Sequence, residues 1–559
     1  MDSSSGSRTR VVVGLDLGTT FSGISYATLT QREVRSFWWT VNSLHPPKIP
    51  TKINVLDSNK VEDSDTNIEW FKLGLPHPDD LPSGIRNSPK FKELNATRAA
   101  AGITAKDATA TFINNIWKVF LDGLQKKIPY PSIQISVTVP VLWPEDACRA
   151  MYEALHRAHI LNENVVLAPK FLAEPEAAAL AFFSDSHYLE ETNTSKLEPG
   201  QTVLICDCGG GTVCSPLLKD TVAYGISSIH PFCVEEIRPG QCIFAGACLL
   251  DDGFMKLLKE KVETMISPRV FKALTENDLH HITNTWEFDI KGRFRDNFPT
   301  QRIYLPIKWA SSRQRRMPVG QGEDVAFTHD DLASIFDPIV GKITHLIEKE
   351  MLGISAKLSK DVTHLVVAGG FGQNAYLRQR VTETVARVSP TTNLVDYPKG
   401  DGWNAVSMGA VAHALQAQTR QQPAVVTSRI VRTGWGVSAD RGNSIFWLVG
   451  ENESLGATQR NLRRIPPEAL STDDHTGRDG FSIRVYSRQL NNEAPRIREV
   501  CTLSWKTRDV GLNSDMKPVL KADLQIDFKW DGAAMDFSLV YGGVEQSSVE
   551  VKYLWKLEV

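Results

Sequence analysis

Two short stretches of this chain hold residues whose types and order suit one kind of chemistry. "VVVGLDLGTTFSG", from Val11, ends an apolar run on a single carboxylate, Asp16, and follows it with Gly18, Thr19 and Thr20. "VLICDCGGGTVCS", from Val203, repeats the grammar with Asp207, then Gly209, Gly210, Gly211 and Thr212. A glycine turn lets backbone N–H groups approach an anion closely. A carboxylate beside that turn repels phosphate, but it can hold magnesium or the ion's water shell. One such turn could be an ordinary β-turn. Two of them read as the halves of a clamp around one metal-bound polyphosphate. No GxxxxGK[ST] pattern is present, so this is not a Walker loop. A third glycine turn, "VVAGGFGQN", places Gly369, Gly370 and Phe371 between a strand and a helix, where a base or ribose can lie against backbone.

The elements that must position these residues alternate. Apolar periodicity predicts strands at "VVVGLDL", "SGISYAT", "EVRSFWWT", "IQISVTVP" and "VLICD". A helix is expected from about Lys106, with Phe112, Ile116, Val119 and Phe120 on one face. Another follows Pro144, with Glu145 and Asp146 in its first turn. "AEPEAAALAFF" and "NAVSMGAVAHALQAQ" read as helices rich in small residues. The Pro- and Asp-rich stretch from Pro76 to Ser83 reads as a loop. Strands alternating with helices indicate an α/β fold. After about Gln422 the period changes to two, and "LQIDFKWDGAAMDFSLVY" reads as a hairpin. Leu524, Ile526, Phe528 and Trp530 share one face, Asp531-Gly532 forms the turn, and Met535, Phe537, Leu539 and Tyr541 line the return strand. The tail is therefore expected to be all-β.

The totals restrict the class. At 559 residues the chain is expected to hold two to four domains. With 42% hydrophobic and 23% charged residues it has ordinary globular composition, and a formal net charge of -3 gives no electrostatic case for nucleic acid or an anionic membrane. The basic "RQRR" near Arg313 reads as a solvated loop. No apolar run reaches the roughly 18–20 residues of a membrane span. The leader lacks an apolar core, so an intracellular protein is expected and the sequons at Asn95 and Asn193 read as chance matches. Eight cysteines in this length do not make a disulfide framework. Cys206 and Cys208 flank Asp207 and read as small core thiols rather than metal ligands.

Five segments, "GLDLGTTFSG", "AEPEAAAL", "CDCGGGT", "VVAGGFGQN" and "NAVSMGAV", occur in that order and resemble the phosphate, connection and adenosine motifs of the actin-like ATPase superfamily. Within it, "LDLGTTFS", "TVP" at Thr138–Pro140 and "AEPEAAAL" most resemble the 70-kilodalton heat-shock chaperones. "EWFKLGL" and "WEFDIKGRF" look like that family's divergent, short-tailed branch common in fungi. The resemblance covers residues 10–418 strongly and the tail weakly.

It implies a disordered leader over 1–10 and a two-lobed, duplicated ribonuclease-H-like ATPase. Lobe I would span 11–190 and lobe II 200–420, with an adenine-side helical insertion near 250–320. A β-rich region over 425–559 would be similar to a lidless peptide-binding domain. It further implies ATP or ADP and magnesium as cofactors, with Asp16 and Asp207 orienting the ion through its waters. Lys72 would hold the γ-phosphate and the attacking water, and Glu174 would position that water or a cation. Thr19, Thr20 and Thr212 would contact phosphates, with Phe21 where the family usually has tyrosine. Gly369 and Gly370 would meet the nucleoside, and Glu287 and Lys291 would close over the base. The expected activity is a slow ATPase coupled to extended or unfolded protein clients and co-chaperones in a cytoplasmic stress response, with nuclear access open. A nucleotide-binding scaffold with little turnover is the alternative, and a sugar or metabolite kinase fits less well, because no substrate-side aspartate base stands out.

Bland readings compete at three places. A lysine between aromatic and leucine positions ordinarily snorkels to solvent, Glu174 could simply cap a helix, and Glu287 with Lys291 has the spacing of a surface i,i+4 pair. The sequence also departs from the resemblance. Val213 is followed by Cys214 where the chaperones have an aspartate, and Phe371 and Gln373 stand where a serine and an arginine are common. The usual interdomain linker is not recognisable before Val425, and the 18 residues after Tyr541 leave no room for a helical lid. A thiol cannot order magnesium-bound water as a carboxylate does. Cys214→Asp is therefore predicted to raise the single-turnover rate of ATP hydrolysis, and an unchanged rate would remove that account of Cys214.

Overall fold

The computed structural model describes residues 8–40, 45–56, 65–81, 83–140, 143–186, 197–209, 221–239, 245–266, 268–272, 274–305, 324–397, 402–418, 425–438, 444–456, 460–469, 471–472, 480–489, 496–506, 510–512, 518–520, 523–530, 535–546 and 550–553. The fold is mixed α/β, built on several sheets. Among the described residues, no helix is long and apolar enough to cross a membrane.

Two sheets, each with seven described strands, repeat one plan. In the first, Arg10–Asp16 pairs antiparallel with Phe21–Thr28 on one side and parallel with Ser132–Val139 on the other. In the second, Thr202–Asp207 pairs antiparallel with Thr221–Ile229 and parallel with His364–Ala368. Each central strand therefore ends on an aspartate at the same point of the plan.

Both central strands are buried on two faces, as a strand between parallel and antiparallel neighbours under helices must be. Val11, Val13 and Leu15 share a core with Phe112, Ile116 and Phe120 of Ala105–Gln125 and with Met151 and Leu155 of Glu145–Arg157. Val12 faces the other way, onto Val411, Ala414 and Leu415 of Ala405–Gln418. In the second sheet Leu204 and Cys206 join the core of the long helix His329–Leu358, while Val203 and Ile205 turn to Ala177–Phe183 and Ala405–Ala410. The helices Glu174–Ser186 and Ala405–Gln418 thus lie between the two sheets. Their small residues permit a close crossing: a Cβ on Gly409 would run into the carbonyl oxygen of Ala177. Tyr397 Oη donates to Ala178 O at 2.9 Å, and the Ser25 and Ser407 hydroxyls meet at 2.8 Å.

Some expectations change locally. Of "EVRSFWWT", only Arg35–Ser36 is strand, and Phe37 packs edge-on to Trp39 and Phe120 instead. Val119, expected on the apolar face of its helix, is 55% exposed. The Pro76–Ser83 loop contains a 3₁₀ turn, Pro78–Asp80.

From Val425 onward the described elements are strands and one 3₁₀ turn, Pro467–Ala469. Val425–Ile430 does not stand apart: it pairs parallel with Phe232–Arg238 and antiparallel with Ser454–Gly456, extending the second sheet. The remaining strands form mainly a six-stranded and a four-stranded sheet. These share a core of Trp435, Val437, Ile483, Val485, Leu503, Ile526, Phe528 and Leu539. In the hairpin, Trp530 pairs with Met535 and Leu524 with Tyr541; the expected Asp531-Gly532 turn lies outside the described residues.

Charged pairs join this region to the rest. Arg496 reaches Asp80 at 2.6 Å, and Arg498 reaches Asp80 at 2.5 Å and Asp146 at 2.8 Å. Arg429 forks onto Glu176 at 2.6 and 2.9 Å. Beside this cluster, burial pushes the Glu145 carboxyl from its ordinary 4.5 to about 8; Asp146 adds to the rise and Arg498 opposes it. The folded protein then holds a proton on Glu145 that the unfolded chain lacks between about pH 4.5 and 8. This contribution to stability is full below the lower value and is lost as pH rises through the window. Glu145→Gln should therefore gain on the wild type as pH rises from 5 toward 8 in urea unfolding (~1.4 kcal/mol per unit at most). A difference that does not vary with pH would refute the assignment.

Candidate functional site

The site assembles around three carboxylates and two lysines drawn from five separate stretches of chain. Asp16, at the end of its strand, is buried, and its Oδ2 accepts a hydrogen bond from Lys48 Nζ at 2.5 Å. Lys72 lies in the 3₁₀ turn Phe71–Gly74, directly after Trp70, whose φ is +55°. It does not snorkel. Only 2% of its side chain is exposed, and its Nζ sits 2.5 Å from Glu174 Oε1 and 5.5 Å from the centre of the Trp143 ring. Glu174 opens the helix Glu174–Ser186 and turns its carboxylate to Lys72. Asp207 closes the second central strand, and its buried Oδ1 has no hydrogen-bond partner among the described residues.

These charges act on one another. Burial pushes the Asp207 carboxyl up to about 7; Lys48 and Lys72 oppose the rise, and Glu174 and Asp16 add to it. Burial likewise raises Glu174 above the usual carboxylate range, against the pull of Lys72. Concentrated negative charge in a water-poor pocket is stable only if cations accompany it, and the two lysines do so here.

The turns around the cluster are laced together. Thr51 N donates to Thr20 O at 2.7 Å, holding the Leu17–Thr20 turn, in which Thr19 is buried. A Cβ on Gly209 would meet nothing within 4 Å among the described residues; Gly210, Gly211, Thr212 and Cys214 lie outside them. The third glycine turn is fastened to the second: Phe371 N and Gly372 N donate to Cys208 O at 3.0 and 3.2 Å, and Gly369 N donates to Gly402 O at 2.9 Å. Phe371 itself is buried in the core near Phe336, so its ring is not offered to a base. Trp403 stands over Gly370 instead and meets the Phe21 ring edge-on at 5.8 Å, which bridges the first and third turns. Gly18 and Phe21 therefore belong to the same neighbourhood as Gly369 and Gly370.

Glu287 and Lys291 form an ion pair on a π-helical segment, Trp286–Ile290, and the 3₁₀ turn that follows it. This is not a solvated surface pair. Lys291 is buried, and its Nζ also reaches Asp251 at 2.9 Å, to which Trp286 Nε1 donates at 2.6 Å. Burial alone would lower the Lys291 pKa; Asp251 and Glu287 outweigh it and raise it. Asn374 Nδ2 donates to Lys291 O at 2.9 Å, tying this segment to the Gly369–Gly372 turn.

Three site residues escaped the sequence reading: Lys48, Asp251 and Trp403. Lys48 lies in "HPPKIPT", where prolines erase periodicity, and its partner is 32 positions away. Asp251 carried only the signal of an acid in a helix's first turn.

No family model matches the chain, and no curated protein does.

The geometry makes Gly369 a stringent position. Its φ is +82°, and a Cβ there would strike Cys208 O and lie 2.5 Å from Asp207 Oδ1. Gly369→Ala is expected to cost about 1–3 kcal/mol in urea unfolding. An unchanged midpoint would show that the turn can relax away from Asp207.

Proposed function

We propose that this protein binds ATP in a cleft between two actin-like lobes and hydrolyses it slowly, in the manner of a divergent 70-kilodalton heat-shock chaperone. The observation that carries this reading is the pairing of Asp16 and Asp207 at equivalent ends of two equivalent sheets, with Lys72 and Glu174 facing them. The residues fit magnesium. The buried Oδ1 of Asp207, without a hydrogen-bond partner among the described residues, is the kind of acceptor a cation satisfies, and Asp207 with Asp16 would hold the ion or its waters. When bound, magnesium supplies charge neutralisation at the phosphates.

The chain's own residues do the rest. Residues 17–20 grip the polyphosphate from one side, and Cys208 and Gly209, directly after Asp207, lie on the other. Lys72 holds the γ-phosphate, and Glu174, fixed by Lys72, orients the attacking water. Such chemistry is positioning and electrostatics, with little covalent work for the protein. The Gly369–Gly370 turn, with Trp403 beside it and Lys291 behind it, receives the nucleoside. The strands after Val431 form a β domain that takes up an extended client segment at a sheet edge or apolar groove. Arg496 and Arg498, on Asp80 and Asp146, are the contacts by which nucleotide state reaches it.

A second reading, a nucleotide-dependent scaffold with little turnover, is favoured by one observation. Asp16, a carboxylate that would order magnesium's waters, is already engaged by Lys48.

ATP binding and single-turnover hydrolysis, both measured in magnesium, separate the two. Binding with hydrolysis that falls at least about 100-fold in Lys72→Ala, and binding that weakens in Asp207→Ala, is the expected result. Tight binding without turnover in the wild type moves the protein to the scaffold class. Absence of nucleotide binding overturns both.

A further inference from the structure

The Lys48–Asp16 pair is a built contact. Both side chains are almost wholly buried, 8% and 6% exposed, at 2.5 Å. Lys48 precedes the short strand Ile49–Pro50, which pairs with Phe21 and Ser22, the first residues after the Leu17–Thr20 turn. The Ser22 and Thr51 hydroxyls meet at 2.8 Å, and Thr51 N donates to Thr20 O, so Thr51 ties the segment to the end of the turn. The lysine's stem crosses Gly23, where a Cβ would lie 3.0 Å from Lys48 Cγ. Each fastening aims one ammonium at the carboxylate beside the proposed phosphate turn.

Burying a lysine is expensive, and an ion pair recovers that cost only in part. If neutralising Asp16 were all that was needed, an asparagine at position 16 would do it without either charge. The pair instead keeps a cation at the place where phosphate oxygens are proposed to arrive. An ammonium has three donors, of which Asp16 takes one, and a lysine binds phosphate as a mobile point charge. With Lys72 already in the cluster, the site holds two lysine ammonium groups, each on a carboxylate, before any metal enters.

Resting on the nucleotide reading above, we infer that Lys48 is a built-in phosphate-binding cation, which holds the β- and γ-phosphates from its seat on Asp16 and lets the protein bind ATP without a divalent metal. Metal then adds to binding instead of being required for it. The second lysine takes part of the neutralising role that a site with one lysine leaves wholly to the ion.

The test compares ATP affinity in excess EDTA and in magnesium, by calorimetry, for the full chain and for Lys48→Met. The wild type should bind in EDTA within about tenfold of its magnesium affinity. Lys48→Met should lose about ten- to hundredfold in EDTA and much less in magnesium, because Asp16 is released to serve the ion. A merely structural ion pair would lower both affinities alike, and that result overturns the inference. So does a wild type that binds only with magnesium, which leaves the nucleotide reading standing. Failure to bind in either buffer overturns the nucleotide reading itself. Should Lys48→Met not fold, Lys48→Met with Asp16→Asn removes the buried charge imbalance. That double variant must bind ATP in EDTA about ten- to hundredfold more weakly than Asp16→Asn alone, and equal affinities overturn the inference.

Discussion

The arrangement depends on a concentration of buried negative charge. Asp16, Glu174 and Asp207 come from three stretches of chain and influence one another's ionisation in a pocket poor in water. Three carboxylates cannot stay ionised together there without cations, because Coulomb repulsion is poorly screened in such a medium. Lys48 and Lys72 answer two of them directly, at 2.5 Å each. Asp207 is the one whose oxygen is left without a partner among the described residues. That residual imbalance is what supports the proposal of a cation-bearing ligand beside Asp207.

Holding such a cluster needs a rigid frame, and the two repeated sheets supply it. Each central strand is pinned on both edges and both faces, so its terminal carboxylate has little freedom. The helices Glu174–Ser186 and Ala405–Gln418 complete the frame because small residues let them cross at backbone distance. The same helix that packs the sheets together starts with Glu174. Any shift of one sheet against the other therefore changes the distance from Glu174 to Asp207, which links the packing of the fold to the chemistry of the site.

Much of this was legible in the sequence, for definite reasons. Asp16 and Asp207 stand out because an apolar run stops on an acid and gives way to glycine, a pattern that needs no knowledge of partners. The mixed α/β character followed from alternating periodicities. Val119 was misplaced because helical spacing marks a stripe but not its margin, and at that margin it is exposed. Lys48, Asp251 and the pairing of Val425–Ile430 with Phe232–Arg238 were not legible. Each is a long-range contact that no local pattern announces. Lys72 falls between these cases: its neighbours suggested a stem along the surface, and only the tertiary fold shows that Trp143 and Glu174 enclose it.

The two lysines also differ in what they can do, and the difference follows from how each is anchored. Lys72 is enclosed by an aromatic ring and a carboxylate that itself begins a helix, so its ammonium is fixed relative to Glu174. Lys48 precedes a short strand paired to the residues that follow the first glycine turn, and its stem packs against the backbone at Gly23. A fixed ammonium suits the orientation of a reacting group, since misplacement by an ångström is costly in catalysis. Lys48 is buried as well, and its ammonium is set beside Asp16, at the first glycine turn, rather than beside Glu174. On the proposed reading the two lysines divide their tasks by the carboxylate each is seated on: Glu174 and the attacking water for Lys72, Asp16 and the arriving phosphates for Lys48.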